Sequence, residues 1–241
     1  MDTRTLDLET PDGPMPLYEA RPNDLRGAVI VIQEAFGVND HIEDVTRRFA
    51  DAGYHAVAPH LFHRAGGGTA PYDDFAKVIP LYEKLDDEGI LIDLDATRQH
   101  LQQSGLPDNQ VGIVGFCFGG RVTFLAGLRR QLGAAVGFYG GGIVTQRFPQ
   151  FPALVGEAAA LQTPWLGLFG EEDHTIPVEE VEQLGKALEA APVETDVVLY
   201  PDAGHAFHND QREDSYRDGA TKDAWSRTLD WFDRHLGASS T

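Results

Sequence analysis

Gly115-Phe116-Cys117-Phe118-Gly119-Gly120 is the stretch on which the reading of this 241-residue chain turns. Just before it, Val111-Gly-Ile-Val-Gly-Phe116 is short, apolar and β-branched, the composition of a buried strand. After it, Arg121 to Arg130 carries the apolar spacing of a helix. Cys117 therefore falls in a strand-to-helix turn with a glycine two residues away on each side. This is the G-x-S-x-G nucleophile turn with sulfur in place of oxygen. So tight a turn strains its central residue and needs small flanks. It also lifts the thiol clear of the strand's carboxyl end, and the following helix aims its positive N-terminus at the sulfur, which favours thiolate. An isolated cysteine is more often a small core residue. Here the only cysteine of the chain occupies the one such turn.

Outward from this turn, strands and helices alternate. Upstream, Thr3–Glu9 and Met15–Ala20, separated by Pro11-Asp-Gly13, predict an antiparallel hairpin at a sheet edge. Ala28–Gln33 predicts the first fully buried strand, His41–Ala52 a helix, and Tyr54–Pro59 the next strand. The segment from His60 to Asp73 reads as a Gly-rich binding loop, Asp74–Lys84 as a short helix, and Ile90–Gln103 as a longer one. Downstream, strands are expected at Ala134–Tyr139, Pro164–Phe169 and Thr195–Tyr200, with helices at Val178–Ala190 and Tyr216–Leu236. Residues 143–163 read as irregular surface. The alternation predicts an α/β fold, a doubly wound and mostly parallel sheet, in a single domain over residues 1–241.

Composition narrows the function classes. A net charge of −19 argues against nucleic acid as a partner. No apolar run approaches a membrane span, and the polar N-terminus lacks a signal-peptide core, so a cytoplasmic location is expected. One cysteine excludes an intramolecular disulfide. His55, His60 and His63 lack the spacing of a metal site, so neither metal nor cofactor is expected.

Ligands of a doubly wound sheet gather beyond the carboxyl ends of its strands. Glu34, Cys117, Asp173 and His205 each lie just past such an end. The order nucleophile, acid, histidine is that of an α/β-hydrolase. Asp173 is preferred to Glu172 by the Gly170-x-x-Asp spacing, and His205 to His208 because it follows Gly204 directly after a strand. In this arrangement Cys117 attacks an ester carbonyl, His205 relays protons and Asp173 orients the imidazole. The N–H groups of Phe118 and Ala35 would form the oxyanion hole. Phe36, Tyr139 and Phe207, near the same edge, are candidates for the pocket wall.

Gly-Phe-Cys-Phe-Gly-Gly, together with Gln33-Glu-Ala-Phe-Gly37, Gly170-Glu-Glu-Asp173 and Gly204-His-Ala-Phe207, resembles the dienelactone hydrolase family over nearly the whole chain. The resemblance implies an α/β-hydrolase fold and a cysteine-dependent hydrolase of small esters or lactones; the expected assembly, a monomer or small homo-oligomer, does not follow from it. It implies the Cys117–Asp173–His205 roles, and a Glu34 that hydrogen-bonds the resting thiol and moves away when substrate arrives. The chain departs from the family where Asn209 stands in place of an arginine that binds a substrate carboxylate. Asn209 remains a candidate substrate ligand through its amide. Arg121, Arg147 and Arg212 are possible replacements for the lost charge, with Arg121 expected in a salt bridge at the start of the elbow helix. The departure leaves open a thioesterase or an esterase of neutral acyl groups. A non-catalytic binding protein on the same fold is the alternative of another class.

Overall fold

The computed structural model describes residues 1–237; residues 238–241 of the expected single domain lie outside them. Eight strands form one sheet. They are β1 (Asp2–Thr10), β2 (Gly13–Arg21), β3 (Gly27–Ile32), β4 (Tyr54–Pro59), β5 (Val111–Phe116), β6 (Ala134–Phe138), β7 (Trp165–Gly170) and β8 (Thr195–Tyr200). The spatial order is β1-β2-β4-β3-β5-β6-β7-β8. β1 and β2 pair as the antiparallel hairpin, β2 joins β4 antiparallel, and every later neighbour is parallel. The central strands β3, β4, β5, β6 and β7 are buried at every residue, as sheets covered on both faces require.

The helices are α1 (Asp40–Asp51), α2 (Ile79–Tyr82), α3 (Asp87–Gln103), α4 (Phe118–Arg129), α5 (Val178–Leu188) and α6 (Asp218–His235). Adjacent residues of β4 show the two layers, because side chains alternate across a sheet. Tyr54 meets Phe49 of α1 and Phe232 of α6, with ring centroids 6.4 and 5.9 Å away. His55 faces the other way, 6.3 Å from His100 of α3.

Most sequence-based bounds hold within a few residues. Three segments differ. The His60–Asp73 loop begins as a 3-10 helix, Leu61–Ala65, with Leu61 and Phe62 buried in the core. The helix expected over Asp74–Lys84 breaks into a 3-10 turn, Phe75–Lys77, and the single turn of α2, which has Pro80 in its first turn. Residues 143–163 are not merely surface: Ile143, Phe151, Leu154, Ala158 and Leu161 are all buried. The segment carries a 3-10 helix, Val155–Ala160, and is anchored by apolar side chains at irregular spacing, which a periodicity reading cannot detect.

Candidate active site

The turn after β5 is compact because its glycines leave no room for anything else. A Cβ at Gly115 would lie 2.1 Å from the Gly119 carbonyl oxygen, and one at Gly119 would lie 2.6 Å from that of Ile32. Cys117 sits between them at φ 55°, the left-handed region that side chains normally avoid, and caps the start of α4. Its N–H donates to the Phe138 carbonyl of β6 at 3.0 Å, and its carbonyl accepts from Gly120 N–H at 3.0 Å. Backbone strain of this kind persists only where the surroundings enforce it. Here two neighbouring strands and the next helix do so.

β7 and β8 bring up the next two groups. Asp173, three residues beyond β7, is buried, whereas Glu172 is exposed. Its Oδ1 accepts from Thr175 N–H at 2.8 Å, Thr175 Oγ1 at 2.7 Å and Ile176 N–H at 3.2 Å. Its Oδ2 lies 2.6 Å from His205 Nδ1. Burial pushes the Asp173 carboxyl up, but His205 and the Thr175 donors outweigh it and hold the group below its usual range. Burial likewise pushes the His205 imidazole down. The charge of Cys117, a hydrogen bond to its sulfur and the Asp173 carboxylate reverse this and raise it to about 10. Asp173 thus holds the imidazole, and the imidazole shares one cavity with the Cys117 sulfur. His208 is elsewhere: its ring lies 5.2 Å from that of Phe116 and stacks with Trp225 at 6.0 Å, and burial depresses it to about 3.

Phe118 is the first residue of α4, where backbone N–H groups lack intrahelical acceptors. Ala35 faces it from the loop after β3, and both line a cavity of about 330 Å³ that reaches Cys117 and His205. Phe36 also lines this cavity, as expected. Tyr139, Phe207 and Asn209 do not. Tyr139 and Phe207 are fully buried beneath the site, with ring centroids 5.4 Å apart, and the Tyr139 hydroxyl has no hydrogen-bond partner. Asn209 is also fully buried and turns its amide inward, to Glu34 Oε2 at 3.1 Å and the Tyr72 hydroxyl at 2.9 Å. Proximity to the strand ends was readable for these three residues; the direction of each side chain was not. Glu34 is buried, and its carboxylate accepts from Tyr72 at 3.0 Å and from Asn209. Those hydrogen bonds go to Tyr72 and Asn209, and none goes to the Cys117 sulfur, where the resemblance had put it.

The rest of the wall, apart from Tyr72 in the His60–Asp73 segment read as a binding loop, was missed. Tyr72, Phe75, Tyr82, Phe148 and Phe151 line the cavity. Tyr82 packs on Phe118 at 4.9 Å and on Phe148 at 5.1 Å, while Phe118 packs on Phe151 at 5.2 Å. The only signal available was a density of aromatics in two segments without periodicity.

All three alternative arginines reach the cavity. Arg121 forms a two-pronged pair with Asp87, at 2.6 and 3.0 Å, and also donates to the Pro152 carbonyl at 2.6 Å. It is the expected salt bridge, and it staples the 141–152 segment to α4. Arg147 donates to the Thr175 carbonyl. Arg212 lies over the Tyr72 ring at 5.3 Å. Among the described residues, neither Arg147 nor Arg212 is within ion-pair distance of a carboxylate.

One group among the described residues has metal-ligand types close together. Glu19, His55 and His100 place three potential ligand atoms within 4.8 Å of one another. Arg4 and Arg21 already bond the same carboxylate, at 2.5 and 3.2 Å, so the group is a charge-satisfied cluster between β2, β4 and α3. His63 instead bonds Asp93 at 3.0 Å. No helix of the described residues is long and apolar enough to cross a membrane.

Comparison with known proteins gives a consistent result. Residues 15–236 match the Dienelactone hydrolase family. A protein of Escherichia coli K12 named "Putative carboxymethylenebutenolidase" is 42% identical over 232 residues, covering 94% of this chain and 84% of its own. The carboxymethylenebutenolidase of Rhodococcus opacus is 31% identical over 233 residues, covering 94% and 89%. The crystal structure of a "Putative Dienelactone Hydrolase" from Klebsiella pneumoniae superposes with a TM-score of 0.88 at 38% identity, covering 97% of this chain and 98% of that one. The expected α/β-hydrolase fold is the fold observed.

Proposed function

From the premise that this chain belongs to the dienelactone hydrolase family, and so is a hydrolase of the carboxylic ester or lactone type, we propose that it works through an acyl-enzyme on Cys117. The sulfur, as thiolate, forms a bond to the carbonyl carbon, and the carbonyl oxygen takes the negative charge. The N–H groups of Phe118 and Ala35 stabilise that oxyanion; one such donor is typically worth about 10²–10³ in rate. The intermediate collapses, the C–O bond to the leaving alkoxide breaks, and protonated His205 supplies the alkoxide's proton. His205 then takes a proton from water, the water oxygen attacks the thioester, and the carboxylic acid leaves as the sulfur regains its electron pair. Asp173 fixes the imidazole tautomer and stabilises the imidazolium in both halves.

The observation that carries this reading is that Cys117 and His205 line one cavity, with His205 Nδ1 2.6 Å from the buried Asp173 carboxylate. Replacing Cys117 by Ala tests it. Hydrolysis should fall by about 10⁴-fold or more, with the thermal transition retained. In the parent, an acyl adduct on Cys117 should appear by intact mass during turnover of a slow ester. Hydrolysis by Cys117→Ala at the parent rate would assign the chemistry to another nucleophile.

A specific observation also favours an anionic substrate over a neutral one. Acidic residues outnumber Lys and Arg by 38 to 19, yet Arg147 and Arg212 reach the cavity without a carboxylate partner. A guanidinium kept clear of carboxylates in so acidic a chain suits a substrate carboxylate, which it can bind in a two-pronged geometry. The aromatic wall suits a planar apolar body. A neutral ester or thioester is the competing substrate class, and the two are separated by the arginine substitutions described below.

A further inference from the structure

We propose that Asn209 is a positioning residue that holds the Glu34 carboxylate away from the Cys117 sulfur, so that the thiol is left to His205 before any substrate arrives. The inference rests on Cys117 being the nucleophile. It concerns how that nucleophile is kept ready.

Four segments meet at this point. Glu34 comes from the loop after β3, Asn39 caps α1, Tyr72 belongs to the Gly-rich loop, and Asn209 lies four residues beyond His205. The Asn209 amide donates to Glu34 Oε2 at 3.1 Å and to the Tyr72 hydroxyl at 2.9 Å. The Tyr72 hydroxyl donates to the same Oε2 at 3.0 Å and accepts from Asn39 Nδ2 at 2.9 Å. Asn209 is itself fixed: its side-chain oxygen accepts Gln211 N–H at 3.1 Å, and its N–H donates to the Ala206 carbonyl at 2.9 Å. Glu34 is 1% exposed, and both of its bonded partners are neutral.

This carboxylate lies beside the reaction centre: Tyr72, which donates to it, and Ala35, the next residue in the chain, line the same cavity as Cys117. Freed from its two donors, a buried carboxylate must find another hydrogen-bond donor, because an unpaired buried charge is costly. The nearby thiol is such a donor. A carboxylate on the thiol would hold the sulfur in its protonated form and oppose the thiolate by like charge. Engaging Oε2 elsewhere leaves the sulfur paired with the imidazole. An arginine at 209 would neutralise Glu34; the amide orients it without removing its charge.

The test is the rate of alkylation by iodoacetamide at neutral pH, in the absence of substrate. It is unambiguous because Cys117 is the only cysteine. Asn209→Leu removes, at similar volume, the amide that donates both to Glu34 and to the Tyr72 hydroxyl, and alkylation should fall by about tenfold, the size of one pKa unit. Tyr72→Phe keeps the ring and removes one donor, and should fall in the same direction by less. It also keeps the proposal falsifiable if Asn209→Leu fails to fold. Thiolate absorbance in the far ultraviolet should fall in parallel. Placing either substitution in a Glu34→Gln background should abolish its effect, because the amide can neither repel the thiolate nor accept its proton. Unchanged or faster alkylation in both variants would overturn the proposal. So would an equal loss in the Glu34→Gln background, which would mark a merely structural role. These outcomes are independent of the catalytic reading: active Cys117→Ala would sink the nucleophile assignment, whereas alkylation reports the state of the thiol itself.

Discussion

Cys117, Asp173 and His205 follow their strands by one, three and five residues, whereas Phe75, Tyr82, Phe148 and Phe151 come from two segments with little regular structure. The first region is located by the sheet. Its backbone is fixed by hydrogen bonds to neighbouring strands, and each polar group is held by several partners, as Asp173 is by four. The second region is located by side chains. Its aromatics pack edge to face on one another and are tied down by a few polar staples, such as Arg121 to Asp87 and Gln150 to the Tyr82 carbonyl at 2.8 Å. Chemistry that fails with an ångström of misplacement sits on the rigid element, and surface that chooses substrates sits on the adaptable one.

The comparison breaks if a change in the wall costs as much turnover as a change at the strand ends. Asp173→Asn preserves shape but removes the charge that fixes the His205 tautomer. The kcat for an aryl ester should fall by about 10⁴-fold. Phe151→Ala, which removes a ring from the wall, should act chiefly on KM and stability. Equal losses of kcat in the two variants would show that the wall, too, positions reacting atoms.

This division also explains what the sequence made legible. β5 and the elbow could be read because a buried parallel strand is a run of apolar residues and the turn tolerates only glycine at positions 115 and 119. Asp173 and His205 could be read because a strand's carboxyl end is a fixed place in this architecture. Tyr139 and Asn209 were placed correctly along the chain and wrongly in direction. Tyr139 has a positive φ of 38°, which turns its ring under the site, and Asn209 is drawn inward by Glu34 and Tyr72. Neither φ nor a long-range hydrogen bond leaves a periodic trace in sequence. The wall at Phe148 and Phe151 was illegible for the same reason: its burial follows from contacts with Tyr82 and Phe118, far away in the chain.

A smaller effect sharpens the same contrast. Arg147→Leu and Arg212→Leu should each raise KM for a carboxylate-bearing lactone by about 10- to 100-fold, the range of a lost hydrogen bond to a charged group. KM for a neutral aryl acetate, and kcat for both substrates, should stay within a few-fold. Selectivity would then reside in the wall alone. If the neutral ester suffered equally, the arginines would be structural staples like Arg121, and the neutral-ester reading would gain.

The smallest expected effect is on stability against pH, and it separates the two regions by sign as well as by size. His205 is raised from an ordinary 6.5 to about 10 by Cys117 and Asp173, against its burial. A raised base contributes stability that is complete below its unfolded pKa and is lost as pH rises through the folded value. Asp173 is held low, so its contribution is present above the ordinary carboxyl range and disappears on acidification. The stability excess of the parent over His205→Gln should therefore be greatest in weakly acidic solution. It should shrink by a few degrees of Tm as pH climbs toward about 10. Arg212→Leu, on the wall, should follow the parent's alkaline limb unchanged. Thermal melts of the three proteins across that range decide the matter. An excess that grew with pH would mean that the imidazole is held neutral, and the contact between sulfur and ring would then be a hydrogen bond without an ion pair.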